Sequence, residues 1–261
     1  MGSDGVCRYV TVIDSSAGIT RDGFRQWRDC VLERMRVVIV AGIVVGFLVA
    51  GVVNRLAMLL LRATSPDRVI GIQSDDDFRI GEVTLAGTYN LLVLGAAVGI
   101  IGVGAYRLVA PWLIGPMWFR RLTTGLGAGI VVGSMLIHTD GVDFTVLKPT
   151  WLAIGLFIVV PGLFGLVIGP VVDAVGRPES WTARGWRRWL LPLIAVAFFP
   201  FALFIIAFAL VPVGFWALAR DVDFVAEVRS VRWLPNVIRG VFIGIVLLAL
   251  VALAKDVNAL T

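Results

Sequence analysis

The sequence predicts an all-α protein: a polytopic transmembrane helical bundle of about six spans, with both chain ends on the cytoplasmic side. Three observations carry this expectation. The 261 residues are 59% hydrophobic and only 16% charged, well outside the balance of water-soluble domains. The apolar residues gather into long stretches, too many to be buried in one water-facing core. Arginines and tryptophans stand at the borders of those stretches, where the headgroup layer of a bilayer lies.

Residues 1–36 precede the first span. Residues 1–19 show no pattern and no apolar run of the kind a signal peptide needs, so they are expected to be disordered. From Gly23, the residues Phe24, Trp27, Val31 and Met35 recur at helical spacing with charges on the other faces. This predicts an amphipathic helix in the membrane interface. The first span, about Val37–Leu61, organises the chain. At 1.5 Å rise per residue it reaches roughly 37 Å, enough for a ~30 Å hydrocarbon core with tilt. Asn54 and Arg55 interrupt it near its outer end.

A second span, about Val83–Val109, follows an acidic loop. After a basic turn comes the weakest span, about Leu122–Ile137, short and rich in glycine. A fourth, about Trp151–Val172, carries Pro161-Gly162 at its middle. A fifth, about Trp189–Leu218, contains three prolines and is read as one kinked crossing. The sixth is about Val237–Ala254, and residues 255–261 form a cytoplasmic tail. With the N-terminus inside, the inner flanks carry about twice as many Lys and Arg as the outer loops, which sets the orientation. Trp112, Trp118, Trp151, Trp181, Trp186, Trp189, Trp216 and Trp233 all fall near span ends. The expected location is the cytoplasmic (plasma) membrane.

Two cysteines, Cys7 and Cys30, both precede the first span on the side assigned to the cytoplasm, where a structural disulfide is not expected. A single histidine rules out a His/Cys zinc site by count. No phosphate-binding loop, zinc-protease helix or serine nucleophile elbow is present. No Asp, Glu, Lys or His occupies mid-span, which argues against a titrating carrier. The outer loops hold Asp75, Asp76, Asp77, Asp140, Asp143, Asp221 and Asp223, but none has the ligand order of a calcium loop. The expectation is a non-enzymatic protein with no cofactor and no metal.

Two groups of residues carry the functional reading. Asn54, Arg55, Glu82, Thr88, Asn90, Ser134 and His138 lie at similar depth near the outer side and form a candidate polar pocket. Asn54 also ends the stripe Gly42–Gly46–Ala50, so it is expected to face another helix. At the inner side Arg184, Arg187 and Arg188, interleaved with tryptophans, are a candidate contact for anionic lipid headgroups. Small-residue stripes at Gly95–Gly99, Gly125–Gly129–Gly133 and Gly165–Gly169 suit close helix packing, within the chain or in a homo- or hetero-oligomer. The bilayer itself is the expected partner, and nucleic acid is not. The two roles that follow are an accessory or structural membrane subunit, or a small permease-like transporter with an outward-facing polar pocket.

Overall fold

The computed structural model describes residues 21–66, 69, 71–72, 84–139, 144, 146–186 and 233–260, without the side chains of residues 21–28, 30 and 31. These residues form a helical bundle. Helix α1 (Arg21–Val45) passes through a π-helical segment (Gly46–Val53) into α2 (Asn54–Thr64). Then come α3 (Leu85–Val109), closed by a 3-10 turn at Ala110–Trp112, α4 (Met117–Leu136), α5 (Thr150–Val175), a 3-10 turn at Trp181–Ala183, and α6 (Leu234–Leu260). Among the described residues four helices are long and apolar enough to cross a membrane: Leu32–Thr64, Leu85–Trp112, Thr150–Val175 and Leu234–Leu260. The weak third span of the sequence is α4, whose 20 residues reach roughly 30 Å. The expected fifth span lies outside the described residues, as do the acidic outer loops at Asp75–Asp77, Asp140, Asp143, Asp221 and Asp223.

Local signals explain the helix starts. Thr84 caps α3 by accepting the Gly87 N–H at 3.0 Å, relieving one of the unpaired donors of a first turn. Pro116 and Pro149 stand at the N-caps of α4 and α5, where a missing N–H removes nothing from the helix. Pro161 and Pro170 are accommodated inside α5 without ending it. The expected interfacial lead-in runs without a break into the first span: α1 holds the lead-in and the start of that span, which continues through the π-helical segment into α2.

Glycine decides how the helices meet. A Cβ on Gly42 would stand 2.5 Å from Ile100 Cα, and one on Gly46 would meet Gly95 O and stand 2.7 Å from Gly99 Cα. The first helix therefore lies backbone-to-backbone on α3, antiparallel. Gly125, Gly129 and Gly133 do the same against α5 around Ile158 and Gly162. Where lipid removes the hydrophobic drive for association, such close approach supplies dispersion contact over the whole seam. The stripes read from the sequence as candidate oligomer faces are thus used within the chain. Gly155, Gly240 and Gly244, by contrast, have nothing among the described residues within 4 Å of an added Cβ.

Two apolar clusters mark the two ends of the bundle. One joins Val38, Ala41, Ile100, Val103 and Val172, with Tyr106 beside it. The other joins Leu61, Ile137, Phe144, Ala153 and Leu253, with Val257 and Leu260 beside it. At the first end Arg36, only 1% exposed, pairs through two nitrogens with Glu33 and donates to Thr182 Oγ1 and to the Val175 carbonyl. This node ties α1 to the end of α5. At the second end Ser65 Oγ accepts the Lys148 N–H at 3.0 Å and donates to the Lys148 carbonyl at 3.1 Å.

Helix α6 does not confirm the expected topology. Its start is held at the Arg36 end, where Arg239 Nε donates to the Trp112 carbonyl at 3.2 Å. Its far half, Leu253 to Leu260, packs at the Leu61 end. The C-terminal helix thus runs parallel to α4 and ends opposite the Arg36 node, so the two ends of the described chain do not share a side. The sequence bias was read with one crossing between Trp189 and Leu218. Trp186 and Trp233 both lie at the Arg36 end, and the expected fifth span between them lies outside the described residues.

Candidate functional site

The site grows from a local irregularity. In the π-helical segment the Asn54 N–H donates to the Val49 carbonyl, five residues back. This wider turn takes in one extra residue, a device common at functional sites. The face that packs on α3 therefore advances from Gly46 to Gly51, not to Ala50. Gly51 is buried, and a Cβ there would stand 2.9 Å from the Leu92 side chain. Four residues beyond Gly51 the same face carries Arg55, where a regular helix would have placed Asn54.

Arg55 borders a partly open chamber of about 1780 Å³ lined by the π-helical segment, α2, α3, α4, α5 and α6. Its walls are apolar, built from residues such as Val98, Gly102, Phe164, Phe242 and Val246. Asn54 and His138 line the same chamber near Arg55, and Arg239 lines it towards the other end. The Nε and Nη2 atoms of Arg55 are buried and have no hydrogen-bond partner among the described residues. A buried guanidinium normally has its donors occupied. Asn54 and His138 line the same chamber, but neither accepts from those two donors.

The structure brings together three of the seven residues read as a polar pocket. Asn54, Arg55 and His138 share the chamber, and His138 makes an edge contact with Phe144 at 6.5 Å between ring centroids. Thr88 turns back on its own helix, donating to the Thr84 carbonyl at 2.9 Å. Ser134 likewise donates to the Val131 carbonyl at 2.9 Å. Asn90 is exposed, and Glu82 lies outside the described residues. Of the headgroup candidates, Arg184 is exposed between exposed Trp181 and Trp186, while Arg187 and Arg188 lie outside the described residues.

A second, smaller pocket of about 290 Å³ lies between α3, α4 and α5 towards the Arg36 end, lined by Tyr106, Arg120, Arg121, Thr124 and Asp173 among others. Sequence reasoning missed it, because Arg120 and Arg121 belong to a basic turn that reads as an orientation signal, and no spacing relates them to Tyr106 and Asp173 on other helices. Comparison of the chain with protein-family models, characterised proteins and solved structures finds no match.

Proposed function

We propose that this chain is a non-enzymatic, permease-like protein of the cytoplasmic membrane that takes an anionic amphiphile into its central chamber. The single observation that carries the reading is Arg55, a cation with two buried, unpartnered donors at the border of a large apolar space. The volume exceeds the roughly 300–1,000 Å³ of ordinary small-molecule sites and suits a ligand with a hydrocarbon chain. A monovalent acid group on such a chain would supply the acceptors that Arg55 lacks, and charge-assisted hydrogen bonds are the stronger kind. The chain then lies along walls that water would leave poorly solvated.

The orientation belongs to the same proposal. Arg34, Arg36, Arg107, Arg120, Arg121, Arg177, Arg184 and Arg239 stand at one end of the bundle, against Arg62, Lys148 and Lys255 at the other. By the preference of cytoplasmic flanks for Lys and Arg, the Arg36 end faces inward and Arg55 lies in the outer half.

The other role, an accessory subunit, is favoured by one observation. Helix α6 is largely exposed, with Leu248 at 73% and Val251 at 69%, and its Gly240 and Gly244 are open. Contact with lipid produces the same exposure, so this weighs less than Arg55. Thermal unfolding in a neutral detergent separates the two. Decyl sulfate, but not an uncharged decyl glycoside, should raise the melting temperature, and Arg55→Leu should abolish the difference. Equal response of wild type to both amphiphiles, with a stoichiometric protein partner on purification, would favour the accessory subunit.

A further inference from the structure

The geometry points to a second anion site, beside the chamber and sharing Tyr106, Thr124 and Gly165 with it: the pocket between α3, α4 and α5 binds a phosphoryl group through Arg120 and Arg121. Each arginine spends one donor on the protein. Arg120 Nη2 donates to the Ala110 carbonyl at 2.8 Å, and Arg121 Nη2 points to Met117 Sδ at 3.0 Å. The Nε–H of each is buried with no hydrogen-bond partner among the described residues. Two neighbouring guanidinium groups with idle donors on one cavity are suited to an oxyanion with several acceptors, which phosphate is and a carboxylate is less so.

The cavity is shaped for a small group. Its volume of about 290 Å³ falls at the lower limit for small-molecule sites. Glycine opens the floor: a Cβ on Gly169 would stand 2.9 Å from the Tyr106 hydroxyl, and one on Gly165 would stand 2.6 Å from the Thr124 carbonyl. Both residues line the pocket, so its depth depends on α5 approaching without side chains at these two positions. The Tyr106 hydroxyl provides a neutral donor to the same space.

Asp173 also lines the pocket, yet the arginines form no ion pair with it within 4 Å among the described residues. The charges stay apart across the cavity instead of cancelling. One carboxylate against two guanidinium groups leaves a net attraction for an anion and opposes it in part. Exposed Met117, Trp118 and Phe119 beside Arg120 give a lipid-facing approach, and the surrounding end of the bundle is rich in arginine.

A phosphoryl group reaches this pocket either on a phospholipid or as free phosphate, and two arms distinguish the sources. In the first, the detergent-solubilised full chain is titrated with dihexanoyl phosphatidic acid, with dihexanoyl phosphatidylcholine as control. In the second, sodium phosphate is compared with sodium chloride at equal ionic strength. Binding in the first arm alone assigns a lipid headgroup, and binding in both assigns a site open to free phosphate. Arg121→Gln should weaken binding by roughly tenfold or more, the loss of one charge-assisted pair. Asp173→Asn should strengthen it several-fold, which a merely structural role for these residues would not produce. Arg120→Gln is the less direct variant because it also breaks the bond to Ala110. The proposal is overturned if neither anion binds above its control, or if Arg121→Gln binds as wild type, or if Asp173→Asn weakens binding.

Discussion

Arg239 Nε donates to the carbonyl oxygen of Trp112 at 3.2 Å, and that bond places the start of α6 beside the end of α3. Because Leu253 and Leu260 pack with Leu61 and Phe144 at the other end, α6 crosses the bundle in the same direction as the first helix.

The chain should therefore show opposite accessibility at its two described ends. In a variant lacking Cys7 and Cys30, a single cysteine at Asn258 should be labelled by an impermeant thiol reagent in intact cells. One at Glu179 should react only after the membrane is opened. Both positions reacting alike would contradict the course of α6.

The glycine seams make a sharper stability prediction. Gly99→Ala places a Cβ against the Gly42 carbonyl and 2.5 Å from Gly46 Cα, backbone atoms that cannot step aside. It should destabilise the protein by about 1–3 kcal/mol or more, the usual range for overpacking. Gly155→Ala and Gly240→Ala, which meet no described residue, should be neutral or stabilising by up to about 1 kcal/mol through helix propensity. Melting temperatures of the three variants in one detergent check the contrast.

Much of this was legible in the sequence. Long apolar runs fix the helices that can cross, and the spacing of Gly42, Gly46, Gly95 and Gly99 marks the seam between the first two, since close backbone approach leaves a small-residue period of four. The π-helical turn was not legible. Gly51 and Arg55 take over from Ala50 and Asn54 because a turn at Gly46–Val53 holds an extra residue, and a period of four gives no sign of that. The direction of α6 was hidden for a different reason. Counting flanking charges assumes one crossing per apolar stretch, and α6 is placed by contacts with Trp112 and Phe144 that no local pattern records. The buried state of Arg36 was equally hidden, because its partners Thr182 and Val175 lie far away along the chain.

The Arg36 node gives a third prediction. Arg36→Met removes a buried cation and leaves Glu33 without its two contacts, which should cost about 3–5 kcal/mol. Adding Glu33→Gln to Arg36→Met should recover part of that loss, since the carboxylate that lost its Arg36 contacts is then gone. Non-additivity in a double-mutant cycle measured by denaturation is the expected result. Simple additivity would show that the pair is not coupled.

The π-helical segment gives a fourth. Removing one residue from the exposed pair Phe47-Leu48 should convert the wide turn into regular α-helix and leave the seams on either side in place. Such a deletion should be tolerated, whereas deletion of Leu94 within α3 should not, because there it would turn Gly95 and Gly99 out of register. Yield of monodisperse protein after detergent extraction measures both.

The most direct test of the central proposal is to map where an anionic amphiphile sits. A fatty acid carrying a photoreactive diazirine in its chain can be crosslinked to the purified protein and the modified residues located by mass spectrometry. The account predicts adducts on chamber residues such as Gly102, Phe164 and Val246, competed by unlabelled fatty acid and lost in Arg55→Leu. Adducts confined to outward residues such as Leu248 and Val251, insensitive to competitor and to Arg55→Leu, would contradict it.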